Sequence, residues 1–282
     1  MEFKRKIEVL VLSDIHLGTF GCHADELLKY LKSIDPETII LNGDIIDIWN
    51  FKKKYWPKSH MLVLKKFLSM VAKGKQVIYI TGNHDETIRK FAGFEVPGFK
   101  VVNKYSLRLN GSETLFFHGD IFDVVMEQAK WLAKLGAVGY DLIIWLNHIV
   151  NNWLRFLGKQ PISMSKKIKN SVKSAVKFIN DFEKVCGDLA SQNGYDTVVC
   201  GHIHQPAIKK VKTDKGTINY LNSGDWIENL SALEYSKGEW TLYHYNDDTI
   251  APAIPIDADI NSALNNKELF SILQQQFYNH AS

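Results

Sequence analysis

The chain has 282 residues, 45% hydrophobic and 23% charged, a balance that excludes a disordered protein and can bury a large core without disulfides or structural metal. Its 34 Lys and Arg against 31 Asp and Glu leave a formal charge of +3, too near neutrality to make nucleic acid the expected partner. Cys22, Cys186 and Cys200 form no CxxC pair, which excludes a thiolate-rich metal site and fits a reducing compartment.

The first apolar run, Ile7 to Leu12, reads as a strand. Basic residues precede it, but Asp14 and His16 interrupt it too soon for a secretory leader. No run of 18 uncharged apolar residues follows anywhere, so no spanning helix is predicted and the cytoplasm is the expected location. Ala24 to Ile34 then carries helical spacing, Thr38 to Leu41 reads as a strand, His60 to Ala72 as a helix, and Val77 to Thr81 and Thr114 to Phe117 as strands. Such alternation predicts an α/β sheet. Between Ile48 and His84 there are 8 Lys and no acid, a basic zone suited to an anionic surface or to plain solvation.

From about Val124 to Lys184 the pattern turns helical, with Trp131, Trp145, Trp153 and Phe156 among aliphatics and a Lys-rich stretch after Lys159. Trp among aliphatics with basic flanks suits a membrane–water interface or an acyl-chain groove, and equally two helices packing on the body. Antiparallel β pattern returns at Thr197 to Cys200, Thr217 to Leu221, Ala232 to Tyr235 and Trp240 to Tyr245. The reading divides the chain into a core of 1–123 and 185–246, a helical insert of 124–184, and a tail of 247–282.

The histidines supply the chemistry. Of 10, five lie in short blocks that each follow a predicted strand: Asp14-Ile15-His16, Gly82-Asn83-His84-Asp85, His118-Gly119-Asp120 and Gly201-His202-Ile203-His204. A fifth block, Gly43-Asp44-Ile45-Ile46-Asp47, has the same placement without a histidine. Ligand sites form at the carboxyl ends of strands in open α/β sheets, so these clusters should share one crevice. Carboxylate, imidazole and amide donors without thiolate suit Mn, Fe or Zn. Asp14, His16, Asp44, Asn83, His118, His202 and His204 exceed what one tetrahedral ion takes and match two ions sharing a carboxylate. Such a pair, about 3.5–4 Å apart, lowers the pKa of a shared water and yields a hydroxide nucleophile.

DxH, GDxxD, GNHD, HGD and GHxH, in that order, resemble the calcineurin-like metallophosphoesterase superfamily over Asp14 to His204. The resemblance implies an αββα architecture of two stacked mixed sheets flanked by helices. It implies that Asp14, His16 and His204 hold one ion, that Asp44 bridges, and that Asn83, His118 and His202 complete the second. His84 would stabilise the transition state or leaving oxygen, oriented by Asp85.

Within the superfamily the chain is most similar to the UDP-2,3-diacylglucosamine pyrophosphohydrolase group, peripheral membrane enzymes of lipid A synthesis. That group has a basic Asn-Ser-x-Lys-Ser stretch in its insert, and this chain has Asn170-Ser171-Val172-Lys173-Ser174, with Lys166 one helical turn before it. The implied substrate contacts are Asn83, His84, Asp123, Lys166, Asn170, Lys173 and His202; the chain departs from the group at His84, where the group has Arg. The implied activity is Mn-dependent cleavage of a UDP-linked acylated sugar to UMP and a lipid sugar 1-phosphate, at the cytoplasmic face of the inner membrane. A soluble phosphodiesterase or phosphatase acting on a nucleotide is the second reading, and a metal-free scaffold is disfavoured by the intact ligand set. His23, His60, His148, His244 and His280 read as surface or hydrogen-bonded histidines, and Asn222 to Trp226 as a turn supporting the metal loops.

Overall fold

The fold is that of a computed structural model, which describes residues 4–49, 55–122 and 165–245, with backbone only for 165–174. In chain order it contains β1 (Arg5–Leu12), α1 (Ala24–Ser33), β2 (Ile34–Asn42), α2 (Lys58–Ala72), β3 (Gln76–Ile80), β4 (Glu95–Val96), β5 (Phe99–Val102), β6 (Tyr105–Leu109) and β7 (Ser112–Phe116). After these come α3 (Ser165–Gln192), β8 (Thr197–Cys200), β9 (Ala207–Thr213), β10 (Gly216–Asn222), β11 (Ser231–Ser236) and β12 (Glu239–His244). One sheet has seven strands in the order β12-β11-β1-β2-β3-β5-β4, the other five in the order β6-β7-β8-β10-β9. β1, β2, β3 and β5 run parallel, as do β7, β8 and β10. The flanking pairings, β11 on β1 and β12, β4 on β5, β6 on β7 and β9 on β10, are antiparallel.

Alternation along each strand sorts side chains into three apolar layers. Val9, Val11, Ile40, Ile78 and Ile80 meet Phe116, Val199 and Leu221 between the sheets. Their chain neighbours Leu10, Leu12, Ile39 and Leu41 face away, onto Leu27 and Leu31 of α1 and Val63 and Phe67 of α2. Leu115, Val198, Cys200 and Tyr220 face the other way, onto Phe182, Cys186 and Ala190 of α3. The result is the expected α/β architecture of two stacked mixed sheets between helices. Central strands buried on both faces explain their unbroken Ile, Val and Leu runs.

The expected strands and helices of the core all form, within a few residues of their predicted ends, but β8, expected in an antiparallel arrangement, pairs parallel with both β7 and β10. The other differences have physical causes. β2 starts at Ile34, directly after α1, and runs through Pro36, which pairs with Ile7 at the start of the ladder. β9 is an edge strand whose Lys209, Lys210 and Lys212 gave no apolar signal; lysines on an edge guard its unpaired backbone. β5 and β6, of 4 and 5 residues, were too short to show a period. α3 continues past Lys184, so the drawn boundary at 184–185 lies inside one helix whose last turns belong to the core. Most of the expected insert and the whole tail lie outside the described residues.

Candidate metal centre

β1, β2 and β3 of one sheet and β7 and β8 of the other are each followed by one of the five polar blocks, and β10 is followed by the turn from Asn222 to Trp226. The turns there are tight. Asp14, His16, Asp44, His202 and His204 have φ of 51°, 53°, 55°, 68° and 54°, a left-handed region that side chains rarely occupy. Backbone bonds across the loops hold them: Asp14 N–H donates to Gly43 O at 3.1 Å and His16 N–H to Asp44 O at 2.9 Å. Two glycines leave room for the carboxylates. A Cβ at Gly82 would collide with Asp44 Oδ1, and one at Gly201 would lie 2.6 Å from Asp14 Oδ2.

Three sets of donor atoms converge, each within 4.8 Å: Asp14, His16 and His204; His16, Asp44 and His84; Asp44, His118 and His202. Asp44 belongs to two of them, with Oδ2 3.2 Å from His118 Nε2 and 3.9 Å from His16 Nε2. His204 Nε2 lies 3.2 Å from Asp14 Oδ1. His118 Nδ1 is 2.9 Å from the Asn42 carbonyl, which assigns that nitrogen a proton and turns Nε2 toward Asp44, where a cation can replace whatever proton Nε2 carries. His16 Nε2, His118 Nε2 and Asn83 Oδ1 are buried and have no hydrogen-bond partner. Buried acceptors left unmatched beside two carboxylates are costly unless a cation completes them, so this donor set fits divalent metal.

The local field says the same. Burial opposes ionisation of Asp14, yet His204, His118 and His16 outweigh it and hold its carboxyl below the ordinary range. Burial likewise opposes charge on Asp44, and His118 overrides it downward. Burial works against charge on His204, but Asp14 and Asp225 push it up to about 9; His118 is raised well above its usual value by Asp44 against the same penalty. The pocket draws positive charge, and bound cations would compete with those protons.

His84 borders the centre. Its N–H donates to Asp44 Oδ1 at 2.8 Å, its ring lies 4.6 Å from that of His16, and Trp49 packs over it at 4.7 Å. The carboxylate that faces its Nδ1 is Asp47 Oδ1, 3.2 Å away, and not Asp85. Asp85 is turned to the opposite side, accepting Gly82 N–H at 2.6 Å, Ile45 N–H at 3.0 Å and Tyr79 O–H at 2.5 Å. It ties the GNHD loop to the GDxxD loop and orients no imidazole. Asp47 also lies 3.5 Å from His16 Nδ1, so one buried carboxylate backs two histidines. Only the fold reveals the role of Asp47; its signal in the sequence is the spacing of three residues from Asp44.

The turn at Asn222 to Trp226 sits beneath the loops. Trp226 N–H donates to Asp14 O at 3.1 Å, Asn222 Nδ2 to Gly201 O at 2.8 Å, and Ser13 and Ser223 hydroxyls meet at 2.7 Å. Arg89 joins Asp120 at 2.6 Å, bridging the GNHD and HGD loops. Two outlying histidines stand apart from the donor sets: His23 pairs with Glu26 at 3.5 Å, and His60 accepts Gly18 N–H at 2.9 Å. Lys166, Asn170 and Lys173 lie on α3 with only their backbone described, and Asp123 falls outside the described residues.

The calcineurin-like phosphoesterase family model matches residues 7–206. The chain is 23% identical over 248 residues to the UDP-2,3-diacylglucosamine hydrolase of Blochmanniella pennsylvanica (strain BPEN), covering 82% of this chain and 93% of that one. It is 24% identical over 243 residues to the protein of that name from Aliivibrio fischeri (strain MJ11), at 83% and 97% coverage. The Aeromonas salmonicida (strain A449) protein of that name is 24% identical over 270 residues, at 90% and 99%. Among solved structures, Yfce, a phosphoesterase from E. coli, aligns over 84% of this chain and 99% of its own at 14% identity, with a TM-score of 0.41, too low to add to the argument.

Proposed function

This chain belongs to the calcineurin-like phosphoesterase family of metal-dependent hydrolases, and we propose that it cleaves the diphosphate of UDP-2,3-diacylglucosamine, or a similar UDP-linked acylated sugar, to UMP and a lipid sugar 1-phosphate. The observation that carries the hydrolytic part is the convergence of Asp14, His16, Asp44, His84, His118, His202 and His204 from both sheets, with Nε2 of His16 and of His118 buried and without a hydrogen-bond partner. Asp14, His16 and His204 would hold one divalent ion, Asn83, His118 and His202 a second, and Asp44 both, with Mn the foremost candidate. When bound, the ions supply Lewis-acid charge for the phosphoryl oxygens and acidify the attacking water.

The chain's own groups do the rest. His84 is the catalytic residue. Burial disfavours its charge, but Asp47 and Asp44 raise its pKa above the usual value, so it is suited to donate a proton to a phosphoryl or leaving oxygen. Asp47 at Nδ1 fixes the ring so that Nε2 faces the substrate. Water adds to one phosphorus as the diphosphate P–O bond breaks, and the departing phosphate takes the proton.

The names of the relatives support the lipid substrate, as does Asn170-Ser171-Val172-Lys173-Ser174 on α3. An anionic membrane surface as partner is supported by α2, which exposes Lys58, Lys65 and Leu68, with Lys73 exposed just past its end. No described helix is long and apolar enough to cross a membrane. His84 in place of Arg favours the second reading, a phosphodiesterase acting on a small nucleotide. The test compares hydrolysis of UDP-2,3-diacylglucosamine with that of bis-p-nitrophenyl phosphate, with Mn and with chelator. Strong Mn-dependent preference for the lipid is expected; equal or reversed rates would leave the hydrolase and overturn the lipid.

A further inference from the structure

His16 and His204 are backed differently from His118. Asp14 is an anion, whereas its counterpart Asn83 is a neutral amide. His16 Nδ1 faces Asp47 Oδ2 at 3.5 Å, and His204 Nδ1 faces Asp225 Oδ2 at 3.7 Å. His118, on the other side of Asp44, is backed by the neutral Asn42 carbonyl at 2.9 Å. A carboxylate behind a ligating imidazole fixes its tautomer and makes it a better donor.

Asp225 is unusually well held for this task. It is fully buried, and its Oδ1 accepts the N–H groups of Ile227 at 2.8 Å, Glu228 at 2.5 Å and Asn229 at 3.2 Å. Asn229 Nδ2 donates both to Asp225 Oδ2 at 2.5 Å and to the His204 carbonyl at 2.9 Å, clamping the carboxylate to the loop it serves. The next residue, Trp226, holds Asp14 through its backbone. One turn thus fixes two of the three ligands at one position. His204 needs such support, since its side chain is 34% exposed where Asp14 is fully buried.

We propose that Asp225 is a positioning residue for His204, and that it makes the Asp14–His16–His204 position the tightly held one, leaving the Asn83–His118–His202 position as the site that exchanges its ion with solution. This rests on the metal-centre reading above. The expected behaviour is stepwise loading: the first ion stays through dilution, and the second follows free Mn concentration.

The test is a Mn titration of the full chain, freed of metal, by calorimetry and by electron paramagnetic resonance. Wild type should show two classes of site, and Asn83→Ala should keep only the tight one. Asp225→Asn retains an oxygen for the three backbone donors but turns an amide toward His204. It should weaken the tight class about 10–100-fold and leave the other class unmoved, a selectivity that general loosening of the fold would not give. Asn229→Ala, which keeps the carboxylate and removes only its clamp, should give a smaller loss in the same class. Two equal classes in wild type, or an unchanged tight class in Asp225→Asn with the wild-type melting temperature, would overturn the inference. No Mn binding by wild type would instead overturn the metal centre itself.

Discussion

Asp47, from the loop after β2, faces the ring of His84, and the adjacent Asp85 does not. Asp85 follows His84 directly, so a reading along the chain pairs them; Asp47, from another loop, makes the contact. Neighbours in a turn point apart, and which carboxylate meets an imidazole is settled by how β2 and β3 end side by side. The converging side chains were legible because each sits in a short polar block after an apolar run. What backs them was not, because Asp225 belongs to a turn distant in sequence. The two aspartates should separate by phenotype. Asp47→Asn should lower kcat about 10–100-fold with little change in melting temperature, since it loosens His84 and His16. Asp85→Asn should cost about 1–3 kcal/mol of stability, because three buried donors lose part of their acceptor. Thermal melts beside steady-state kinetics check both; equal effects on kcat would refute the division of roles.

Between elements, α2 is joined to the loop after β1 that carries Asp14 and His16 by a hydrogen bond from Gly18 N–H to His60 Nδ1. That bond needs a neutral imidazole. Burial lowers the His60 pKa below 6.5, so the unfolded chain takes up the proton first as pH falls. The stability it contributes is therefore full above pH 6.5 and is lost as pH drops through the lowered folded value. His60→Asn, which can offer an oxygen to the same N–H, should flatten the slope of unfolding free energy against pH in that window. Denaturant titrations at several pH values between about 5 and 7 check this, and an unchanged slope would place the acid sensitivity elsewhere. The helix pattern of His60 to Ala72 was plain in sequence; the role of His60 within it was not, because an isolated histidine on an apolar face carries no signal of what it accepts from.

At the scale of the whole molecule, the site exists only because two sheets present the ends of their parallel strands at one edge. Local apolar runs revealed the strands, but not that β11 would pair with β1 or that β7, β8 and β10 would form a separate sheet, since such pairings are non-local and leave no period. The same assembly gathers Asp14 and Asp44 in burial and holds five side chains at positive φ, a cost that the folded chain alone must bear. A cation that binds the folded form and not the unfolded one offsets it by mass action, by about 2.7 kcal/mol at a free concentration 100 times the Kd. Melting temperature should therefore climb with Mn concentration well past stoichiometric loading, and chelator should reverse it. In Asp44→Ala, which removes the carboxylate common to two donor sets, the metal-free protein should still melt cooperatively while most of that climb disappears, along with metal-dependent turnover. A full Mn-dependent rise in that variant would mean that Asp44 does not bridge, and that the sheets hold their ions by the outer ligands alone.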